Sequence, residues 1–396
     1  MVTLENVRVN LSMEFGYNQL HDFFEEIKNK DIVCWGSGKH FRNITYPFLK
    51  ESGLLANLKG FVETQAAGKF HQANPSAKSP EIIIYDRSYE IMSRENLAKL
   101  DRQQTIILVT VAGYKEILSQ IRCDKRLADF AVIPSIYVEA LYEVMQMLSA
   151  NKPPQNFHKN DNPVIPKIIH TFWFSGEEIP AEYKLCLESW RKFAPDFEIK
   201  IWDLDSYKAE NCEFFEQAIA HKNWAFASDY ARVDVLRRYG GVYMDMDVEM
   251  LRPIDDLLYN DAYMSFESMG RIECGSGMGA KPGNRIIDEI CKSYENRPYL
   301  KADGSWDNST CPVRYTQVIE QHGLEKNGGF QFVDDITIYP FDVLTCKSFD
   351  TGIIYNTENS YTIHHHNGNW VPGSAKCAME NRYAEIRDFL LSRSLL

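Results

Sequence analysis

Short apolar runs rich in Ile and Val alternate with stretches of helical periodicity over the first third of the chain. Asp31–Trp35 (DIVCW), Leu58–Glu63 (LKGFVE), Glu81–Asp86 (EIIIYD), Thr105–Gly113 (TIILVTVAG) and Phe130–Ser135 (FAVIPS) read as strands. Continuous Ile/Val runs separated by helices are what a parallel sheet covered on both faces requires. The pattern predicts a small Rossmann-like α/β domain over residues 1–155. The stretch Asn151–Pro166 then carries four prolines and four asparagines with almost no apolar periodicity, and reads as the linker. A second α/β domain follows over residues 156–396. It opens with a strand ending in a turn (PKIIHTFWFSG, Pro166–Gly176). Tyr183, Leu187 and Trp190 then share one helix face, and Pro195 stops that helix. Glu198–Asp205 is the next strand, and an amphipathic helix closes the chain.

Composition adds limits. The chain has 396 residues, 44% of them hydrophobic, and a net charge of −12. That apolar content suits folded domains, and the acidic balance argues against a partner that is tracked through its phosphates, so no nucleic acid is expected. The 13% of aromatic residues suits stacking on sugar or base rings, although a large core absorbs aromatics as well. Nine cysteines stand singly with no CxxC, which reads as reduced thiols and not as a disulfide frame or zinc site. No leader is visible in MVTLENVRVN, and the longest apolar run falls far short of the ~20 residues that cross a bilayer. A cytoplasmic chain is expected, one that meets a membrane only from the side.

The chemistry concentrates in Ala227–Asp247, ASDYARVDVLRRYGGVYMDMD. Ser228 reads as a helix N-cap with Asp229 in the first turn, and Asp229 and Arg232, three apart, share a face. Gly240-Gly241 ends the helix, and Val242–Met244 reads as a strand with Asp245 and Asp247 at its carboxyl end. In an extended chain residues i and i+2 point the same way, so both carboxylates face one point. Two acids that close repel unless something neutralises them, and hard oxygen ligands suit Mg²⁺ or Mn²⁺ completed by substrate phosphates. A solvated strand end is the plain alternative for an isolated DxD; the preceding Asp-x-x-Arg and Gly-Gly favour the site.

With Ser228, Asp229, Arg232, Leu236, Gly240, Gly241, Tyr243, Asp245 and Asp247 in this order, the chain resembles the retaining glycosyltransferases of family 32, whose signature is the DXD sugar-binding region. The opening strand, with Ile168, His170 and Trp173, adds to the resemblance, which covers roughly residues 164–375. It implies a GT-A-type catalytic domain and transfer of a hexose, galactose or glucose first, from a UDP-sugar to a hydroxyl of a glycan or lipid. Sphingolipids and capsular glycans are among the family's acceptors, and UDP-GlcNAc and GDP-mannose among its other donors. By the same resemblance Asp245 and Asp247 hold Mn²⁺ or Mg²⁺, and Asp229, Arg232 and Asp245 act on the donor sugar. Ile168, His170, Trp173 and Tyr243 line the nucleotide side. A late histidine shortly before a glycine completes the metal shell in such enzymes. In YTIHHHNGNW (Tyr361–Trp370) that implies His365 first and His364 second, with Trp370 on the donor. Strand alternation by itself puts His364 and His366 on one side and His365 on the other. Gly275, Gly277 and Gly279 resemble the loop below the donor sugar, and Thr310-Cys311-Pro312 stands where the family has Thr-Gly-Pro.

Two features lie outside this core. Gly36-Ser37-Gly38 follows a strand, and Glu63 ends the next, which half-fits a dinucleotide fingerprint; Phe41 takes the third glycine's place. A nucleotide- or NAD-binding sugar-modifying oxidoreductase is therefore the alternative, with docking or a nucleotide remnant the simpler use of that domain. In the last helix Tyr383, Ile386, Phe389 and Leu390 form an apolar face beside Arg382, Arg387 and Arg393, so it reads either as a peripheral membrane contact or as a helix packed on its own domain.

Overall fold

The structure is a computed structural model and describes residues 17–63, 80–85, 87–111, 113–154, 157–267, 270–295, 297–368 and 373–392. The chain divides into two compact units, one running from Tyr17 to Met145 and a second beginning at Gln146. Both are α/β, the class the hydrophobic pattern predicts.

The first unit is built on a six-stranded sheet of β1 (Asp31–Trp35), β2 (Leu58–Val62), β3 (Glu81–Ile84), β4 (Arg87–Ile91), β5 (Thr105–Val109) and β6 (Ala131–Pro134), in the order β3-β4-β2-β1-β5-β6. All neighbours are parallel except β3 and β4, which form a hairpin at the edge. The central strands β1 and β5 bury Val33, Trp35, Ile107 and Val109 in one core, as runs covered on both faces must. Gly36 sits after β1 at φ +105°, where a Cβ would collide with the side chain of Val111. Ser37 donates from Oγ to Glu63. This glycine thus serves close packing, and the acid at the end of β2 already has a partner.

The second unit is a mixed sheet in which β7 (Ile168–Phe172), β8 (Glu198–Trp202) and β9 (Gly241–Met244) run parallel. β13 (Ser276–Ala280) lies antiparallel to β9, and β11 (Ala262–Phe266) antiparallel to β13. β15 (Ile336–Tyr339) and β14 (Gln331–Val333) continue the sheet, and the two-residue β12 (Ile272–Glu273) pairs with β11. A separate ribbon pairs β10 (Val248–Met250) with β16 (Thr362–His364), setting Val248 opposite His364. The helix Ala181–Phe193 buries Tyr183, Leu187 and Trp190, the predicted stripe, against Ile169, Val242 and Met244. Trp190 also donates from Nε1 to Val248 O at 2.8 Å, tying this helix to the strand that follows Asp247.

The closing helix Gly373–Ser392 turns its apolar face inward: Tyr383 and Ile386 are buried, and Tyr383 donates to Phe349 O at 2.6 Å. A Cβ on Gly352 would meet the Tyr383 ring at 2.6 Å. Of the two readings of that face, this burial favours the helix packed on its own domain, since its central residues are covered by the unit's own loop. Leu390 and Arg393 lie outside the residues whose side chains are described. Among the described residues no helix is long and apolar enough to cross a membrane.

Candidate active site

The register of β7 on β9 pairs Ile169 with Val242 and His170 with Tyr243, so both strands end at the same edge of the sheet. Phe172, Trp173 and Phe174 leave β7 there, and Asp245–Asp247 leave β9. Crevices at the carboxyl ends of parallel strands are where open α/β sheets take their ligands. A cleft of about 610 Å³ opens at this edge, lined among others by Trp173, Asp229, Arg232, Tyr243, Asp245, Asp247, Glu273 and His364.

The helix Trp224–Tyr239 begins four residues before Ser228. Ser228 is therefore inside the helix and not its N-cap, and its Oγ donates back to Ala225 O at 2.7 Å. That places Asp229 and Arg232 in the second and third turns, on one face as predicted, with Arg232 Nη2 3.1 Å from Asp229 Oδ1 and 3.5 Å from Asp245 Oδ1. Its Nε donates to Ser228 O at 3.1 Å, and the guanidinium lies 4.7 Å over the Tyr243 ring. Tyr243 in turn donates its hydroxyl to Asp245 Oδ1. Burial pushes the Asp229 carboxyl up to about 6, outweighing the adjacent Arg232 and the Cys311 thiol, which favour the charged form.

Asp245, Met246 and Asp247 form a turn and not an extended strand end, closed by Val248 N donating to Asp245 O at 3.1 Å. The two carboxylates still converge, and the third member of the group is His364: one ligand atom from each of Asp245, Asp247 and His364 lies within 4.8 Å of the others. His364 Nε2 is 3.3 Å from Asp247 Oδ1 and 3.8 Å from Asp245 Oδ2. Two carboxylates and an imidazole suit a hard-to-borderline divalent cation, and the cradle is shaped for them. A Cβ on Gly275 would strike the Asp245 carboxylate and come within 3.0 Å of His364 Cε1. Burial disfavours the charged ring, yet Asp247 and Glu273 hold the His364 imidazolium well above the usual histidine range. Burial likewise opposes ionisation of Asp247, but His364 and the Asn367 amide keep its carboxyl well below the usual range.

Three expectations need correction. His365, expected as the first metal-ligating histidine, faces away: its Nε2 lies 3.2 Å from buried Glu249 Oε2. His364 and His366 share the cleft side, their rings 4.1 Å apart, although the strand ends at His364 and His366 takes a left-handed backbone at φ +52°. His170 is fully buried at the opposite end of β9, accepting from Trp202 Nε1 at 3.0 Å and donating from Nε2 to Gly240 O at 2.9 Å. Burial lowers it to about 4, so it is a neutral structural imidazole. Ile168 stands beside it: its carbonyl lies 2.6 Å from where a Cβ on Gly241 would go, at the amino end of β9. Neither residue reaches the cleft. Trp173 does, its indole donating to Glu177 O at 2.6 Å. Trp370 lies outside the described residues.

Sequence reasoning passed over Glu273, Arg271, Trp224 and Phe226, all in the cleft wall. Glu273 had one readable signal, an acid two residues before a glycine in a Gly-rich segment; the others had none.

Residues 180–264 match the family model described as the glycosyltransferase sugar-binding region containing the DXD motif. An uncharacterized glycosyltransferase of Acanthamoeba polyphaga mimivirus is 23% identical over 237 residues, 56% of this chain and 90% of that protein. Inositol phosphoceramide mannosyltransferase 2 of Schizosaccharomyces pombe is 35% identical over 35% of this chain and 42% of its own. Mannosyl phosphorylinositol ceramide synthase SUR1 of Saccharomyces cerevisiae is 32% identical over 42% and 45%. The chain thus spans most of the viral relative but less than half of either yeast enzyme. Among solved structures, the PaToxG glycosyltransferase aligns over 40% of this chain and 68% of its own, at 20% identity and a TM-score of 0.33. Over residues 180–264 the chain thus matches the sugar-binding region of the DXD glycosyltransferases, and it is similar to proteins named as glycosyltransferases and mannosyltransferases.

Proposed function

We propose that the second unit transfers a hexose from a nucleoside-diphosphate sugar to a hydroxyl of a glycan or lipid acceptor, with retention at the anomeric carbon. The observation that carries this reading is the continuity of the cleft. Asp229, Arg232 and Asp245 form one ion-paired chain, and Asp245 is shared with the Asp245–Asp247–His364 group. A sugar-contacting pair and a cation-holding group therefore meet at a single carboxylate.

In this reading Asp245, Asp247 and His364 hold Mn²⁺ or Mg²⁺. When bound, such an ion supplies Lewis-acid stabilisation to a departing diphosphate. Arg232 offers its planar fork, and Asp229 its acceptor oxygens, to the hydroxyls of the sugar ring. Trp173 offers a flat face to the nucleoside base. The Tyr243 hydroxyl fixes the Asp245 carboxylate so that this side chain does not reorient as charge develops. The carboxylates of Asp229, Asp245, Asp247 and Glu273 already serve Arg232, Tyr243 or His364. Front-face displacement is therefore favoured over an enzyme nucleophile, the acceptor hydroxyl passing its proton to the departing phosphate oxygen.

The resemblance favours UDP-galactose or UDP-glucose. The names of the yeast relatives, which denote mannosyl transfer to inositol phosphoceramide, put GDP-mannose and a sphingolipid acceptor beside them. The test is donor cleavage over UDP-galactose, UDP-glucose, UDP-GlcNAc and GDP-mannose, with Mn²⁺ or with EDTA. One donor should be turned over in Mn²⁺ alone and lost in Asp247→Ala; no cleavage of any donor with the folded protein would refute the reading.

A further inference from the structure

Glu273 ends β12 and is buried at the turn that leads into β13, on the wall of the cleft. Its two oxygens have separate tasks. Oε2 collects the donors of its own turn, from Gly275 N at 2.8 Å, Ser276 N at 2.6 Å and Ser276 Oγ at 2.5 Å. Three donors on one oxygen fix the plane of the carboxylate. Oε1 is then left facing His364 Nδ1 at 2.9 Å.

An imidazole that donates from one nitrogen presents a lone pair on the other, and the partner of the first nitrogen chooses which. We propose that Glu273 is the positioning residue of this site: it accepts the Nδ1–H of His364 and thereby leaves Nε2 as the nitrogen that can ligate a cation beside Asp245 and Asp247. The same turn seats a second member of the group. Gly275 O accepts from Asp245 N at 2.8 Å, and the missing side chain of Gly275 makes room for the Asp245 carboxylate. The segment Glu273–Ser276 thus sets both the approach of Asp245 and the tautomer of His364. This proposal rests on the cation-binding reading of Asp245, Asp247 and His364.

Glu273→Gln separates aim from architecture. The amide oxygen of Gln can keep the three donors of the turn, so its NH₂ then faces His364. An amide donor there requires Nδ1 to accept, moves the ring proton to Nε2 and turns a donor toward Asp245 and Asp247. The experiment is a Mn²⁺ titration of the full chain followed by electron paramagnetic resonance, with pulsed detection of the imidazole nitrogen coupling. Wild type should bind Mn²⁺ with that coupling. Glu273→Gln should bind roughly 10- to 100-fold more weakly, the range for an outer carboxylate on a metal-bound histidine, and without the coupling. Unchanged affinity and coupling in Glu273→Gln would overturn the proposal while leaving the cation site standing. Wild type that binds no Mn²⁺ sensitive to Asp247→Ala would overturn both. Should Glu273→Gln not fold, ¹⁵N spectra of the wild-type histidines in Mg²⁺ decide, with His364→Gln assigning the signal. A proton on Nδ1 supports the proposal and one on Nε2 refutes it.

Discussion

Asp229 lines the cleft, and its burial has a thermodynamic signature that its contact with Arg232 conceals. Its carboxyl is pushed up to about 6 from the ordinary aspartate value of 3.8. The direction fixes the sign. Between those two values the folded chain binds the proton more than the unfolded chain does, so stability falls as pH rises through this window. Above it the ionised side chain costs the fold about 3 kcal/mol, from 2.2 pKa units at about 1.36 kcal/mol each. Asp229→Asn keeps the shape and removes the titration. Any fixed effect of the amide, including weaker attraction to Arg232, cancels when the same two proteins are compared at two pH values. At pH 5 the wild-type cost is about 1.6 kcal/mol and at pH 8 about 3 kcal/mol by the same linkage. The variant should therefore gain about 1.4 kcal/mol on wild type between pH 5 and pH 8. For a unit of this size that is roughly 3–6 °C in Tm. The assay is thermal unfolding of both proteins in EDTA at the two pH values, with sugar transfer followed in Mn²⁺. Transfer should drop while relative stability rises, as expected where a site holds a charge for function and not for folding. A Tm difference that stays flat or moves against the variant from pH 5 to pH 8 would refute the account, because attraction to Arg232 would then outweigh burial.

Four further outcomes follow from the same geometry. Gly275→Ala should cost about 1–3 kcal/mol of stability by overpacking and abolish Mn²⁺ binding, checked by melting and EPR, because its methyl enters the space of the Asp245 carboxylate. His365→Ala should leave Mn²⁺ affinity within about twofold yet destabilise by roughly 1–3 kcal/mol, measured by denaturant unfolding, since it removes a partner of buried Glu249. Mn²⁺ affinity should rise steadily with pH above 6.5, up to about tenfold per unit while the imidazolium of His364 persists, because the cation must displace its Nε2 proton; a flat profile by titration would exclude His364 as a ligand. Arg232→Lys keeps charge but loses the fork, so steady-state kinetics should show kcat falling more than KM for the donor rises.

The linear sequence determined the periodic parts. Runs such as Ile106–Val109 are apolar at every position, which only a strand covered on both faces tolerates, and the Tyr183–Leu187–Trp190 stripe can form only on a helix with one buried side. The pairing of Asp229 with Arg232 was likewise legible, because a three-residue separation on a helix is a local geometric fact. The shared side of His364 and His366 agrees with the alternation read from the sequence, but its cause differs: the strand ends at His364, and the left-handed backbone of His366 brings that ring back to the cleft.

What decided the ligand set was long-range. His364 lies more than a hundred residues from Asp247, and it reaches the carboxylates because β16 pairs with β10 in a register that sets it opposite Val248. His170 and Ile168 were misplaced for a related reason: a parallel strand has two ends, and only the pairing of His170 with Tyr243 shows that its imidazole turns back to Gly240. Glu273 carries no local signal for its contact with His364, 91 residues away in sequence. Periodicity reports which side of an element is buried, because burial acts on each residue through its nearest neighbours in the chain. Which buried or half-buried polar groups then face one another is settled by strand register and turn geometry, and these arise only when distant segments pack.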